Sequence, residues 1–143
     1  MKKNSFNIAI LGCGKVAHLH AKAIQNLPNA KLAAVWSRTP ESAEKFADQY
    51  QTSAFTNIGK MVKKADIDLA IVCTPHPFHL EPTIEAANTG AHVLVEKPLA
   101  STLEDCDAMI AACNESGVKL GVISQRRWYA PVMRVKKAID DGK

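Results

Sequence analysis

No apolar run in this chain approaches the ~18 residues that a bilayer-spanning helix needs, which excludes one. The amino end lacks the pattern of a signal peptide, since Met1-Lys2-Lys3-Asn4-Ser5 leads straight into a strand of folded type. The four cysteines, Cys13, Cys73, Cys106 and Cys113, show no Cys-x-x-Cys spacing. They read as small packing residues, with reduced thiols in a cytoplasmic protein as the expectation. Low-complexity tracts and repeats of solenoid length are also missing. The net charge of +4 is modest and dispersed. The pairs Lys63-Lys64 and Lys136-Lys137 therefore read as solvated helix faces, and neither nucleic acid nor a membrane is expected as a partner. What is present is globular: 143 residues with 47% hydrophobic and 22% charged side chains. That length fits one domain able to bury roughly two-thirds of its unfolded surface.

Short apolar runs alternate with helical patterns along the chain. Strands are expected at Phe6–Leu11, Leu32–Trp36, Leu69–Cys73, His92–Val95 and Val118–Val122, with a weak one near Ala54-Phe55. The clearer runs are nearly continuous in Val, Ile, Leu and Ala, as in strands buried on both faces of a parallel sheet. Helix signals lie between them. Gly14 to Leu27 stops at Pro28, and Thr39 stands as a cap before Pro40. Ser101 and Glu104 have capping-box spacing ahead of a helix over Cys106–Ser116, which Gly117 ends. A last helix runs from about Pro131 to Asp140. Repeated strand–helix–strand units predict an α/β fold, doubly wound, with a mainly parallel sheet covered on both faces.

Gly12-Cys13-Gly14-Lys15-Val16-Ala17 follows the first strand and opens the first helix. In that context Gly-x-Gly-x-x-Ala reads as a dinucleotide-binding turn. The first glycine allows the bend, the second lets backbone approach a pyrophosphate, and Ala17 lets helix pack on strand. The helix amino end offers free N–H groups and partial positive charge to the phosphates. The same spelling also serves a plain structural turn or the glycine loop of a methyltransferase using S-adenosylmethionine. An NAD site usually carries Asp or Glu at the end of the second strand, to accept from the adenosine ribose. Here the residues are Trp36-Ser37-Arg38-Thr39, and no carboxylate follows until Glu41. A hydroxyl and a guanidinium suit a 2′-phosphate, so NADP is favoured over NAD.

Three further segments end at the carboxyl side of strands, where open α/β sheets bind ligands. Cys73-Thr74-Pro75-His76-Pro77-Phe78-His79 is held extended by two prolines and presents Thr74. His76 and His79 have no third ligand of suitable spacing, so no metal is expected. His20, one turn beyond Ala17, reads as a packing residue. Glu96-Lys97-Pro98 closes the run Ala91-His92-Val93-Leu94-Val95 and delivers two charges to the sheet edge. In extended backbone the two side chains point to opposite faces, and proline keeps Lys97 out of helix. Ile123-Ser124-Gln125-Arg126-Arg127-Trp128 follows the last strand. Gln125 is placed to hydrogen-bond a carboxamide there, and an ordinary loop role stays open for it.

Together these residues resemble the amino-terminal domain of the Gfo/Idh/MocA oxidoreductase family. The likeness covers about Asn7 to Lys143: the glycine turn with His20, Cys73-Thr74-Pro75 with His79, Val93-Leu94-Val95-Glu96-Lys97-Pro98-Leu99-Ala100, and Gln125-Arg126-Arg127 with Pro131 and Lys137-Ala138-Ile139-Asp140. The resemblance implies a Rossmann fold, with Lys97 near the nicotinamide and the reacting carbon, and a cis Lys97–Pro98 bond. It implies cofactor contacts for Gly12, Gly14, Val16, Ser37, Arg38, Thr74, Pro75, His79, Glu96, Lys97 and Gln125. It further implies an NAD(P)-dependent dehydrogenase or reductase, moving hydride between a sugar, cyclitol or related polyol carbon and the nicotinamide. On that expectation 1–125 form the dinucleotide-binding domain, and 126–143 form a linker helix leading toward a second, substrate domain absent from this chain. Alone, the chain would then be inactive, and the full-length form a homo-oligomer. The alternative expectation is a nucleotide-binding module without turnover.

Overall fold

The computed structural model describes residues 5–143. Six strands form one parallel sheet: β1 Phe6–Leu11, β2 Ala30–Trp36, β3 Ser53–Phe55, β4 Leu69–Val72, β5 His92–Val95 and β6 Leu120–Val122. Their order across the sheet is β3-β2-β1-β4-β5-β6. The helices are α1 Lys15–Gln25, α2 Pro40–Tyr50, α3 Ile58–Lys64, α4 Leu80–Asn88, α5 Leu103–Glu115 and α6 Ala130–Asp140, with 3₁₀ turns at His76–Phe78 and Gln125–Trp128. This is the doubly wound α/β arrangement that the strand–helix alternation predicts.

The pleat sorts β1 into two cores. Ile8 and Ile10 face Ala17, Ala21 and Ile24 of α1 and Phe46 and Ala47 of α2. Ala9 and Leu11 face Met61 of α3, Ala86 and Ala87 of α4, and Met109 and Cys113 of α5. Both faces of the central strands are thus apolar, which is why the runs read as continuous rather than alternating. The chain leaves β1 toward β2 and returns across it to β4, so the strand order reverses between β1 and β4. At that reversal the loops after the two strands diverge and leave a crevice at the carboxyl edge.

Two helix starts depart in detail from their sequence signals. The cap of α5 is Thr102 rather than Ser101, its hydroxyl accepting from the Asp105 amide at 3.1 Å, and the helix begins at Leu103. Thr39 does occupy the cap position of α2, but its hydroxyl donates to Ser42 Oγ at 2.8 Å and caps no amide. The Thr39 side chain therefore caps none of the first amides of α2. Downstream of the sheet, α6 exposes Val132, Met133, Val135 and Ile139 on an otherwise polar helix. No helix among the described residues is long and apolar enough to cross a membrane.

Candidate dinucleotide and proton-transfer site

The Gly12 amide donates to the Trp36 carbonyl at 2.8 Å, pinning the turn after β1 to the end of β2. Gly12 has φ +107, and a side-chain carbon there would lie 3.0 Å from backbone atoms of Cys73 and Thr74. The fold itself therefore demands this glycine. Gly14 is different. It caps α1 with φ −76 and ψ −179, ordinary extended backbone, and an added carbon would meet nothing within 4 Å. No neighbour requires a glycine at 14, so the space it leaves open fits a group arriving from outside the chain. Ala17, by contrast, is fully buried where α1 meets the sheet.

Around this turn lies a cleft of about 340 Å³, lined by Gly12, Cys13, Gly14, Lys15, Val16, Trp36, Ser37, Arg38, Cys73, Thr74 and Pro75. Seven sequence-predicted contacts, Gly12, Gly14, Val16, Ser37, Arg38, Thr74 and Pro75, thus share one surface. Burial raises the Cys13 thiol pKa, opposed by a hydrogen bond with Ser37. The Cys73 thiol is pushed up to about 12, chiefly by burial and further by the nearby charges of Glu96 and Cys13. Both thiols hence stay protonated and serve as packing atoms at neutral pH. A larger cavity of about 490 Å³ lies behind the turn between α1 and α2, flanked by His18, Lys22, Lys45 and Tyr50, and shares Cys13 with the cleft.

Strand register brings the Lys97 turn to the same sheet edge as the glycine turn. Leu11 pairs with Val72, and Val72 with Val95, so the residues that follow each leave the same edge. β1 and β5 are two strand spacings apart, roughly 10 Å. Lys97, two residues past Val95, is exposed, and its bond to Pro98 is cis. Among the described residues it makes no ion pair. Glu96 is held more firmly: Oε1 lies 2.8 Å from His20 Nε2 on α1, and Oε2 accepts from the Lys97 amide at 3.2 Å. One carboxylate thus ties the lysine turn to the helix that the glycine turn begins. Gln125 lies beyond β6, whose Val122 pairs with Val95, and is exposed at the same edge.

His79 departs from expectation. Its ring is 1% exposed, so it has almost no surface to offer a cofactor. Nε2 is 2.8 Å from the Thr74 carbonyl, and Nδ1 is 3.1 Å from those of Pro98 and Leu99. The ring fastens the Thr74 loop to the turn carrying Lys97. Replacing His79 by Leu takes their partner from the part-buried Thr74, Pro98 and Leu99 carbonyls and should cost about 1–2 kcal/mol of stability. Urea unfolding of the two proteins measures it, and an unchanged midpoint would deny the fastening role.

His20 was missed as anything beyond packing, because Glu96 lies 76 residues away in sequence and only the fold joins them. The pairing of Arg38 with Phe78, whose ring centroid lies 5.0 Å from the guanidinium carbon, has the same origin. Among the described residues no group of three His, Cys, Asp or Glu side chains is arranged to hold a metal.

A parallel sheet that reverses at β1/β4, with a glycine elbow open at the reversal, defines a Rossmann fold. Residues 6–124 match the model of an oxidoreductase family with an NAD-binding Rossmann fold. The chain belongs to this Gfo/Idh/MocA family, whose members use NAD(P). It is 34% identical over 134 residues to the inositol 2-dehydrogenase of Rhizobium meliloti, covering 94% of this chain and 40% of that protein. It is 32% identical over 136 residues to the 2,7-anhydro-N-acetylneuraminate hydratase of Escherichia coli, covering 95% of this chain and 36% of that one. Among solved structures, the WlbA dehydrogenase from Bordetella pertussis in complex with NADH and UDP-GlcNAcA superposes with a TM-score of 0.90 at 33% identity, over 96% of this chain and 43% of that one. The chain therefore spans well under half the length of these relatives.

Proposed function

We propose that this chain is the cofactor-holding part of an NAD(P)-dependent oxidoreductase acting on a secondary alcohol of a sugar, cyclitol or related polyol. The observation that carries the reading is the Glu96–His20 bond of 2.8 Å, which fixes the Lys97 turn to the helix starting at the glycine elbow. Amides at Gly14 and Val16 would receive the pyrophosphate, with Gly12 shaping the bend. Thr74 and Pro75 would wall the crevice, and Gln125 would meet the carboxamide. Glu96 acts by holding Lys97, since both of its oxygens already have partners within the chain.

The bound nicotinamide supplies the hydride acceptor or donor, as the chemistry of that group dictates. Lys97 then hydrogen-bonds the substrate hydroxyl and takes or returns its proton at Nζ. Residues 126–143 would lead toward a second, substrate-binding domain. Four free thiols suit the reducing cytoplasm. The relatives' polyol and sugar names support the substrate class, and a homo-oligomeric full-length form remains part of the reading.

Ser37 and Arg38 at the end of β2 favour NADP over NAD. A guanidinium on a 2′-phosphate makes charge-assisted hydrogen bonds, whose loss weakens binding by about tenfold or more. Fluorescence titration with NADPH, NADH and S-adenosylmethionine tests this. NADPH should bind tightest, and Arg38→Ala should bring it level with NADH. S-adenosylmethionine binding in place of both would remove the oxidoreductase reading.

A further inference from the structure

Phe78 has no evident reason to be aromatic. It is 50% exposed and belongs to neither apolar core, although the turn that carries it is among the most restrained on the sheet edge. Its amide donates to the Pro75 carbonyl at 2.8 Å and its carbonyl accepts from Thr74 Oγ1 at 2.8 Å. Pro75 and Pro77 precede it, and the next residue, His79, is buried. A ring so mounted is a fixed platform, and the group resting on it is the Arg38 guanidinium, 5.0 Å from the centroid.

We propose that Phe78 is a positioning residue for coenzyme choice: its face holds the Arg38 guanidinium over the crevice, ready for a 2′-phosphate. The inference rests on the NADP reading above and deepens it. Arg38 leaves β2 and Phe78 follows β4, with β1 between them, so the pair bridges the mouth of the cleft. A cation–π contact is made through the ring face and the cation's charge. It therefore restricts the long arginine side chain without consuming the N–H donors that phosphate oxygens need. A carboxylate partner would orient Arg38 as well, but it would neutralise the charge and occupy the donors. Among the described residues no carboxylate pairs with Arg38.

The test compares dissociation constants for NADPH and NADH in the full chain and its variants. Phe78→Ala should weaken NADPH about three- to fivefold, the range of an exposed cation–π contact, while NADH changes less than about twofold. Phe78→Tyr should keep the preference. Phe78→Leu, which keeps apolar bulk without the π face, should lose it as alanine does. Adding Phe78→Ala to Arg38→Ala should produce no further loss of preference. Equal weakening of both coenzymes would make Phe78 a seat for the adenine ring and overturn the proposal, as would retained preference in the leucine variant. A ratio that collapses in Arg38→Ala but stands in Phe78→Ala removes this inference alone. A ratio unmoved by Arg38→Ala removes the NADP reading and the inference together.

Discussion

Replacing Lys97 by Met in a two-domain form that also carries the proposed substrate domain should lower kcat by about 10²–10⁴-fold, the usual yield of one positioned acid–base group, and leave NAD(P)H affinity within about twofold. The split follows from where the atoms lie. The cleft at the glycine turn is lined by Trp36, by the start of α1 and by the loops that follow β1, β2 and β4, and Lys97 is not among them. The lysine sits one strand further along the edge, after β5. Its side chain is exposed and makes no ion pair among the described residues, so methionine removes the ammonium without opening a core. Thermal unfolding should accordingly shift by no more than a degree or two. Arginine at 97 is an informative control. It keeps the charge, yet its guanidinium does not give up a proton at working pH, so turnover should remain low. Steady-state kinetics with a polyol panel, beside coenzyme titration of the same preparations, separates these effects. Most activity surviving in the methionine variant would take Lys97 out of the mechanism.

The Lys97 turn also shows what sequence reading reaches and where it stops. The strand runs were legible because both faces of β1 and β4 are largely buried and β5 is mostly apolar, and a continuous apolar segment between turns has few other uses. Edge strand β3, three residues long and largely exposed, gave only the weak signal at Ala54-Phe55. At α5 two hydroxyls stand side by side, Ser101 and Thr102, with Glu104 and Asp105 three residues after each. Spacing alone favoured the first, and the structure uses the second. For His79 the family resemblance implied a cofactor contact, but a motif does not report the direction of a ring. That ring turns inward to three carbonyls. The links that matter most to the site, His20 with Glu96 and Arg38 with Phe78, join residues far apart in the chain. Neither pair has a local periodicity to reveal it. The glycine elbow was readable as a motif, yet the motif treats its two glycines alike.

The structure separates them, and this sets up the second large effect. Gly12→Ala should damage the fold and Gly14→Ala should damage binding. At Gly12 the backbone has φ +107, where residues with a side chain are strained by about 1–3 kcal/mol, and the new carbon presses on the backbone that joins β4 to its loop. Backbone on both sides leaves little room to yield, so the apparent Tm should fall by roughly 3–12 °C without any ligand present. At Gly14 neither cause applies. The dihedrals suit alanine, the surroundings are open, and the loss of glycine from a helix cap costs less than about 1 kcal/mol. The methyl group would instead stand in the space through which a pyrophosphate approaches the α1 amides. NADPH and NADH should weaken together by about tenfold or more, with the NADPH/NADH ratio unchanged because on the proposed reading the 2′-phosphate would meet Ser37 and Arg38 rather than the elbow. Unfolding curves without ligand, set against titrations with each coenzyme, distinguish the two variants. A Gly14→Ala protein that binds both coenzymes as well as its parent would mean that the open space at the elbow does not receive the phosphates.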